Sequence, residues 1–245
     1  MKKPEMIIFD YGHTLLYEPD FDAMRCEEAA YSYIVENPQN LTAEQIYVEV
    51  QRMFAKFQEQ RNSGIEIHEW QFMRLVYEYL GLKFSISYRE LEEIEWNAAS
   101  PGAVMPGAGE MLDYLNNAGI RTAVISNIGW SGNALTNRIK RLLPNNRFEF
   151  IMASSEYVIR KPNKMLFETA LRKAKLSAGS VWYCGDNMTA DVKGAHEAGM
   201  YPVLYEGTAP DEVNFFVSQS EAVDFEYLHI HDWSEMTAIL KGMMS

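Results

Sequence analysis

Short apolar runs alternate with helical patterns along the second half of the chain. After Gly107 the runs cover residues 122–126, 148–153, 181–184, 201–205 and 225–230, and an earlier run covers residues 6–9. Strands that are buried on both faces of a parallel sheet have nearly continuous apolar sequences of this kind. The alternation therefore predicts an α/β fold, in which helices cover a parallel sheet.

Residues 19–99 have a different pattern and are predicted to be entirely helical. Apolar residues there follow helical spacing, as in Ile46, Val50, Met53, Phe54 and Phe57. Two capping-box signals mark helix starts, Thr42 with Gln45 and Ser87 with Glu90. Breakers in residues 101–107 mark the end of this region. We predict a helical domain of residues 19–99 inserted into an α/β core of residues 1–18 and 100–245.

Composition narrows the possible functions. The chain has 245 residues, 47% of them hydrophobic, and a net charge of −12, which argues against a nucleic-acid-binding protein. Cys26 and Cys184 are its two cysteines, too few for a disulfide scaffold or a Cys-ligated zinc site. The apolar runs are too short for a signal peptide or a membrane span, so we expect no membrane partner and a cytoplasmic location.

Carboxylates stand where two of the predicted strands end. Asp10 follows the run of residues 6–9, and Asp186 follows the run of residues 181–184. The carboxyl ends of parallel strands meet at one edge of the sheet, where α/β proteins bind ligands. Converging carboxylates repel one another unless a cation lies between them, and hard oxygen ligands suit Mg²⁺. The sequence therefore predicts a Mg²⁺ site at this edge.

Four ordered segments resemble the haloacid dehalogenase-like hydrolases. They are residues 10–14, the pair Ser126-Asn127, the pair Lys161-Pro162, and Gly185-Asp186 with Asp191. The resemblance implies a doubly wound, Rossmann-like parallel sheet with the first strand near its centre. It also implies that the helical insert is a mobile cap.

The resemblance further implies roles for individual residues. Asp10 is similar to the family's nucleophile, whose carboxylate attacks phosphorus and gives an aspartyl intermediate that water hydrolyses. Asp10, the main-chain carbonyl of Gly12 and Asp186 are the implied ligands of Mg²⁺. The implied substrate is a small phosphate ester.

The remaining segments supply the implied phosphate site. Ser126 is expected to donate its hydroxyl to a phosphoryl oxygen, and Asn127 is expected to add an amide. Lys161 is expected to neutralise charge between the phosphate and Asp10. Asp191 is expected to orient Lys161 or metal-bound water without binding the metal itself.

One position departs from the commonest phosphatase pattern. The second residue after the nucleophile is usually an Asp that serves as general acid and base, and here it is Gly12. The loss of such a group typically costs a factor of about 10² to 10⁴ in rate. His13 is the nearest titratable substitute, and a residue of the insert or the substrate itself are the alternatives.

Three other functions remain open because position 12 is a glycine. A dehalogenase would lack the metal ligand that Asp186 supplies, although Arg25 would suit the carboxylate of a haloacid. A phosphonate hydrolase of the family type needs a lysine in the insert, where Lys56 and Lys83 are the candidates. A protein that binds metal or phosphate without turnover is the third. The sequence leaves the substrate and the oligomeric state open.

Overall fold

The computed structural model describes residues 2–210 and 223–243. Its strands are β1 (Met6–Phe9), β2 (Leu16–Tyr17), β3 (Ile34–Glu36), β4 (Lys83–Phe84), β5 (Ala103–Val104), β6 (Arg121–Ser126), β7 (Phe148–Ala153), β8 (Val181–Gly185), β9 (Tyr201–Tyr205) and β10 (Leu228–Ile230). Its α-helices are α1 (Met24–Tyr31), α2 (Ala43–Phe54), α3 (Gln58–Asn62), α4 (Glu69–Tyr79), α5 (Tyr88–Ala99), α6 (Ala108–Asn117), α7 (Gly132–Leu142), α8 (Lys164–Ala174), α9 (Gly194–Glu197) and α10 (Trp233–Gly242).

The main sheet has six strands in the order β10-β9-β8-β1-β6-β7, and neighbouring strands pair in parallel. Alternate side chains of β1 point to opposite faces, as the strand geometry requires. Ile7 and Phe9 join the core cluster that contains residues of α6, α7 and α10, whereas Met6 and Ile8 join the cluster that contains residues of α8 and α9. Helices therefore cover both faces, and the predicted doubly wound α/β fold is confirmed.

The observed strands match the predicted runs closely at their carboxyl ends. β7 and β9 have the predicted bounds, and β6 and β8 each extend the prediction by one residue. β10 begins at Leu228 rather than at Phe225. Phe225 and Tyr227 pack instead against a smaller apolar cluster beside the sheet, which explains why an apolar sequence there does not continue the strand.

Helices α1 to α5 lie between β2 and β5, and α1, α2, α4 and α5 share a hydrophobic core of their own. Both predicted capping boxes are present, Thr42 with Gln45 at α2 and Ser87 with Glu90 at α5. The prediction that this region is entirely helical is wrong. β3 and β4 form a two-stranded antiparallel sheet within it, because segments about 50 residues apart pair, which helical periodicity does not report.

The chain leaves and re-enters the core through another antiparallel pair, in which Leu16 of β2 lies opposite Val104 of β5. This pair brings both ends of the insert together. No helix among the described residues combines the length and the apolar character needed to cross a membrane.

Candidate active site at the carboxyl edge of the sheet

Asp10 is the first residue after the central strand β1. Its main-chain N–H donates to the carbonyl oxygen of Cys184 in β8 at 2.8 Å, so the backbone is fixed by the neighbouring strand. The side chain is 13% exposed, and Oδ1 lies 2.8 Å from Nζ of Lys161. Burial raises the pKa of Asp10 to about 6, although Lys161 opposes the shift. A carboxylate in this position is poorly solvated, so its charged form depends on nearby cations.

Asp186 and Asp191 approach Asp10 closely. The three side chains offer carboxylate oxygens that all lie within 4.8 Å of one another. Burial, followed by the charges of Asp191 and Asp10, raises the pKa of Asp186 well above its ordinary value. The structure thus brings together the two aspartates that the sequence predicts to meet.

This carboxylate cluster is chemically suited to a hard divalent cation. Oδ1 of Asp10 is buried, and within the described part of the chain its polar neighbour is the Nζ of Lys161 at 2.8 Å, an ion-pair contact. Three carboxylates face one ammonium group, which leaves excess negative charge. An all-oxygen donor set with such an excess is the type that Mg²⁺ or Ca²⁺ prefers.

Lys161 is fully engaged by its neighbours. Its Nζ lies 2.8 Å from Asp10 Oδ1 and donates to Asp191 Oδ1 at 2.6 Å and to the hydroxyl of Tyr183 at 2.8 Å. Burial alone would lower the pKa of Lys161, but the two carboxylates outweigh it and raise the pKa. The ammonium group is therefore charged and held in place before any ligand arrives.

Tyr183 is a site residue that the sequence reasoning missed. Its hydroxyl accepts from Lys161, donates to the carbonyl oxygen of Ile125 at 3.0 Å, and lies 3.3 Å from Asp191 Oδ1. The side chain is fully buried in β8. The available signal was a tyrosine within a strand predicted to be buried on both faces, since a buried hydroxyl needs a partner.

Asp191 reaches this cluster because position 185 has no side chain. A Cβ built on Gly185 would lie 2.3 Å from Cγ of Asp191, far inside contact distance. Asp191 follows through a π-helical turn (Met188–Lys193), and its Oδ2 accepts from the main-chain N–H of Asn187 at 3.0 Å. Both oxygens of Asp191 are thus used by protein donors, as expected for a residue that orients Lys161.

Asn127 contacts the main chain of Lys161 rather than standing free. Its Oδ1 accepts from the N–H of Lys161 at 2.7 Å, and its Nδ2 donates to the carbonyl oxygen of Lys161 at 2.9 Å. This reciprocal pair fixes the loop that carries the lysine. Ser126, at the end of β6, is 3% exposed.

Most of the predicted residues line one cleft of about 470 Å³. Its lining includes Asp10, Gly12, His13, Asn127, Lys161, Asp186 and Asp191, and Ser126 lies outside that set. The same cleft is lined by Arg61 of the insert and Arg160 of the core, which the sequence reasoning did not select. Neither arginine belongs to one of the four motif segments, so only the folded chain places them there.

The residues that other activities would need lie elsewhere. Lys56 is exposed, and Lys83 is bound to Glu36 at 2.9 Å on the outer surface. Arg25 is exposed beside Asp22 and donates to the carbonyl oxygen of Asp20. None of the three lines the cleft of Asp10. The geometry therefore does not support Lys56 or Lys83 as the lysine of a phosphonate hydrolase, or Arg25 as a haloacid-binding residue.

Comparison with known proteins points to the same family that the four sequence segments resemble. A family model described as haloacid dehalogenase-like hydrolase matches residues 7–204. Haloacid dehalogenase-like hydrolase domain-containing protein 3 of Xenopus laevis is 26% identical over 129 residues, which are 53% of this chain and 52% of that protein. The glyceraldehyde 3-phosphate phosphatase of Pyrococcus abyssi is 29% identical over 104 residues, 42% of each chain. The chain thus spans about half the length of these curated relatives or less.

A solved structure shares the fold over its whole length. The 2-haloacid dehalogenase of Pseudomonas syringae pv. Tomato DC3000 superposes with a TM-score of 0.61 at 20% identity, and the match covers 100% of both chains. At this level of identity the likeness concerns the fold.

Proposed function

The chain belongs to the haloacid dehalogenase-like hydrolases, and from that premise we propose that it hydrolyses a small phosphate ester through an aspartyl-phosphate intermediate, with Mg²⁺ as cofactor. The observation that carries the proposal is the convergence of Asp10, Asp186 and Asp191 beside Lys161. The glyceraldehyde 3-phosphate phosphatase among the relatives supports phosphate esters as the substrate class.

In the first step, a carboxylate oxygen of Asp10 attacks phosphorus, the bond between phosphorus and the ester oxygen breaks, and the alcohol leaves. In the second step, water attacks the aspartyl phosphate, which releases inorganic phosphate and restores the carboxylate. Lys161 stabilises the negative charge that faces Asp10, and the hydroxyl of Ser126 and the N–H groups of Asn127 that Lys161 does not use are the proposed donors to the phosphoryl oxygens. Asp191 and Tyr183 hold Lys161 in place.

Asp10, Asp186 and the main-chain carbonyl of Gly12 are the proposed Mg²⁺ ligands. A bound Mg²⁺ would neutralise charge between the nucleophile and the phosphoryl group. The retention of Asp186 favours this chemistry over dehalogenation, which needs no metal.

The departing alcohol needs a proton, and position 12 has no carboxyl group to supply it. His13 lines the cleft and is the proposed general acid, with the substrate or a residue of the insert as alternatives.

We further propose that residues 19–99 act as a cap over the core formed by residues 1–18 and 100–245. Arg61, a residue of the insert, lines the cleft that holds Asp10, and this position supports the proposal that the insert covers the core.

The test is hydrolysis of an aryl phosphate by the purified chain with Mg²⁺. We expect turnover that falls to background in Asp10→Asn, whereas Asp113→Asn, an exposed position of α6, keeps it. Absence of turnover across a broad panel of phosphate esters, with Mg²⁺ binding intact, would contradict the proposal and favour a binding protein. Metal-independent halide release from a haloacid would instead identify a dehalogenase.

A further inference from the structure

Two arginines converge at the cleft from opposite parts of the chain. Arg61 lies in the last turn of helix α3 of the insert, and Arg160 immediately precedes Lys161 in the core. Their side chains are 26% and 23% exposed, and both line the cleft that holds Asp10 and Asp186. The backbone joins them, because Arg160 donates its N–H to the carbonyl oxygen of Gly64 at 3.0 Å and Ile65 pairs with Ile159.

Glu66 fixes both guanidinium groups and is itself saturated. Its carboxylate is completely inaccessible to solvent. One oxygen accepts from Arg61 Nε at 3.2 Å and from the N–H of Ile67 at 3.1 Å, and the other accepts from Arg160 Nη1 at 2.5 Å and from the hydroxyl of Ser154 at 2.7 Å. Each guanidinium uses a single nitrogen in this contact, which leaves several N–H donors on each for a ligand.

The cationic charge at this point exceeds its local compensation. Two guanidinium groups share the one carboxylate of Glu66. Glu69 also interacts with Arg61, and burial raises the pKa of Glu69 to about 7, so near neutral pH it is only partly ionised. Asp10, Asp186 and Asp191 line the same cleft, so its carboxylate end suits a cation, whereas an anion is favoured at the end formed by Arg61 and Arg160.

We propose that Arg61 and Arg160 form a second anion-binding subsite, so that the substrate carries a phosphate ester and a further carboxylate or phosphate at its far end. This proposal rests on the proposed function and names its substrate class. Planar guanidinium groups match both carboxylate and phosphate oxygens, so the two chemistries are alternatives for one subsite. The subsite needs the insert and the core together, and such a substrate would hold them together.

The experiment compares phosphate monoesters of graded chain length that end in a carboxylate, a second phosphate or a hydroxyl. We expect one of the anionic series to exceed its hydroxyl counterpart by about tenfold or more in kcat/KM, since charge-assisted hydrogen bonds favour it. The variants Arg61→Gln and Arg160→Gln each reduce this preference by about tenfold, mainly through KM. Arg74→Gln, at an exposed position of α4, keeps the preference.

Removal of an arginine also takes a donor from Glu66 and destabilises the fold. Ser154→Ala controls for this effect, because it removes a donor from the same carboxylate and leaves both cations in place. A loss of preference in Ser154→Ala equal to that in Arg61→Gln would overturn the proposal. So would equal kcat/KM for anionic and hydroxyl esters at every chain length.

A binding measurement separates failure of the subsite from failure of the proposed function. Phosphonates with a terminal carboxylate or a second phosphonate are titrated into the chain with Mg²⁺ by calorimetry, against phosphonates with a terminal hydroxyl. Tighter binding of the anionic compounds, lost in Arg61→Gln, supports the subsite even where no ester is turned over. Equal binding contradicts the subsite even where hydrolysis of an aryl phosphate is normal.

Discussion

Gly12 faces open space in the cleft beside Asp10, since a Cβ built there meets no atom within 4 Å. A larger residue therefore fits, and Gly12→Asp would place a carboxyl group two residues after the nucleophile. We expect kcat for an aryl phosphate to rise by about 10²- to 10⁴-fold, because a general acid and base would then assist both chemical steps. Steady-state kinetics measures the change.

Gly12→Asn is the matched control for this substitution, because it has nearly the same shape and does not titrate. An equal gain in Gly12→Asn would assign the effect to positioning. No gain in Gly12→Asp would contradict this prediction, because His13, proposed only as the acid for the departing alcohol, would then already serve as acid and base in both steps.

Tyr183 is the residue whose removal best tests how Lys161 is held. Tyr183→Phe takes one acceptor from Lys161 Nζ and one donor from the carbonyl oxygen of Ile125, in a fully buried site. We expect a loss of about 1–3 kcal/mol in the free energy of unfolding, measured with denaturant, and a fall of about tenfold in kcat/KM. Tyr201→Phe, on β9 outside the cleft, should change kcat/KM little.

Individual residues differ in how far the sequence could reveal them. Asp10 and Asp186 were predictable because each follows an apolar run, Asp10 directly and Asp186 after Gly185, and the edge of a parallel sheet brings such positions together. Tyr183 and Arg160 were not, because their roles depend on contacts with Ile125 and Glu66 that lie far away in the chain. The partner of a buried polar group is a tertiary property.

At the scale of elements, the start of α7 depends on a residue of the insert. Glu92 of α5 accepts from both the N–H and the hydroxyl of Ser131 at 2.6 Å, and Ser131 Oγ caps α7 by accepting from Ala134 N–H at 3.2 Å. Glu92 and Ser131 are both buried. A single serine thus links the insert to the helix that follows β6.

Ser131→Ala should destabilise the chain more than the loss of an ordinary cap. The substitution removes the cap of α7 and one donor to a buried carboxylate, so we expect a loss of about 2–3 kcal/mol in the free energy of unfolding. Thr42→Ala is the control, since it removes an exposed cap of α2 and should cost about 1 kcal/mol. Equal losses in the two variants would show that the contact with Glu92 contributes nothing.

Elements set by local sequence were predicted well, and those set by distant pairing were not. The capping boxes at α2 and α5 involve residues three positions apart, and both are present. β3 and β4 are short, and each is extended because the other lies beside it. Apolar periodicity in a short window does not contain that information.

At the scale of the whole molecule, the insert buries a carboxyl pair that makes stability depend on pH. The hydroxyl of Tyr77 lies 2.8 Å from Glu27 Oε2 and 2.7 Å from Glu95 Oε1, and all three residues are buried. One hydroxyl proton serves one carboxylate, so the second contact needs a proton on the other carboxyl group. Burial accordingly raises the pKa of Glu27 to about 7 and that of Glu95 well above its ordinary value.

The direction of the pH effect follows from these raised pKa values. Glu27 binds its proton more tightly in the folded chain, where its pKa is about 7, than in the unfolded chain, where it is near 4.5. Protonation of Glu27 therefore contributes to the free energy of unfolding, fully so below about pH 4.5. This contribution, on the order of 3 kcal/mol in total, is lost as pH rises towards 7. Glu95 acts in the same direction, and Glu69, Glu92 and Cys26 are further titratable groups in the surroundings of this pair.

Glu27→Gln should remove much of this dependence, because glutamine has the shape of the protonated acid and does not ionise. We expect the variant to match the parent chain at about pH 5 and to exceed its free energy of unfolding by about 1–3 kcal/mol at about pH 8. Denaturant unfolding at the two pH values measures the difference, with Glu28→Gln as the control at an exposed position of the same helix. A variant that loses stability equally at both pH values would show that Glu27 is ionised in the folded chain. It would contradict the conclusion that one of the two carboxyl groups beside Tyr77 carries a proton.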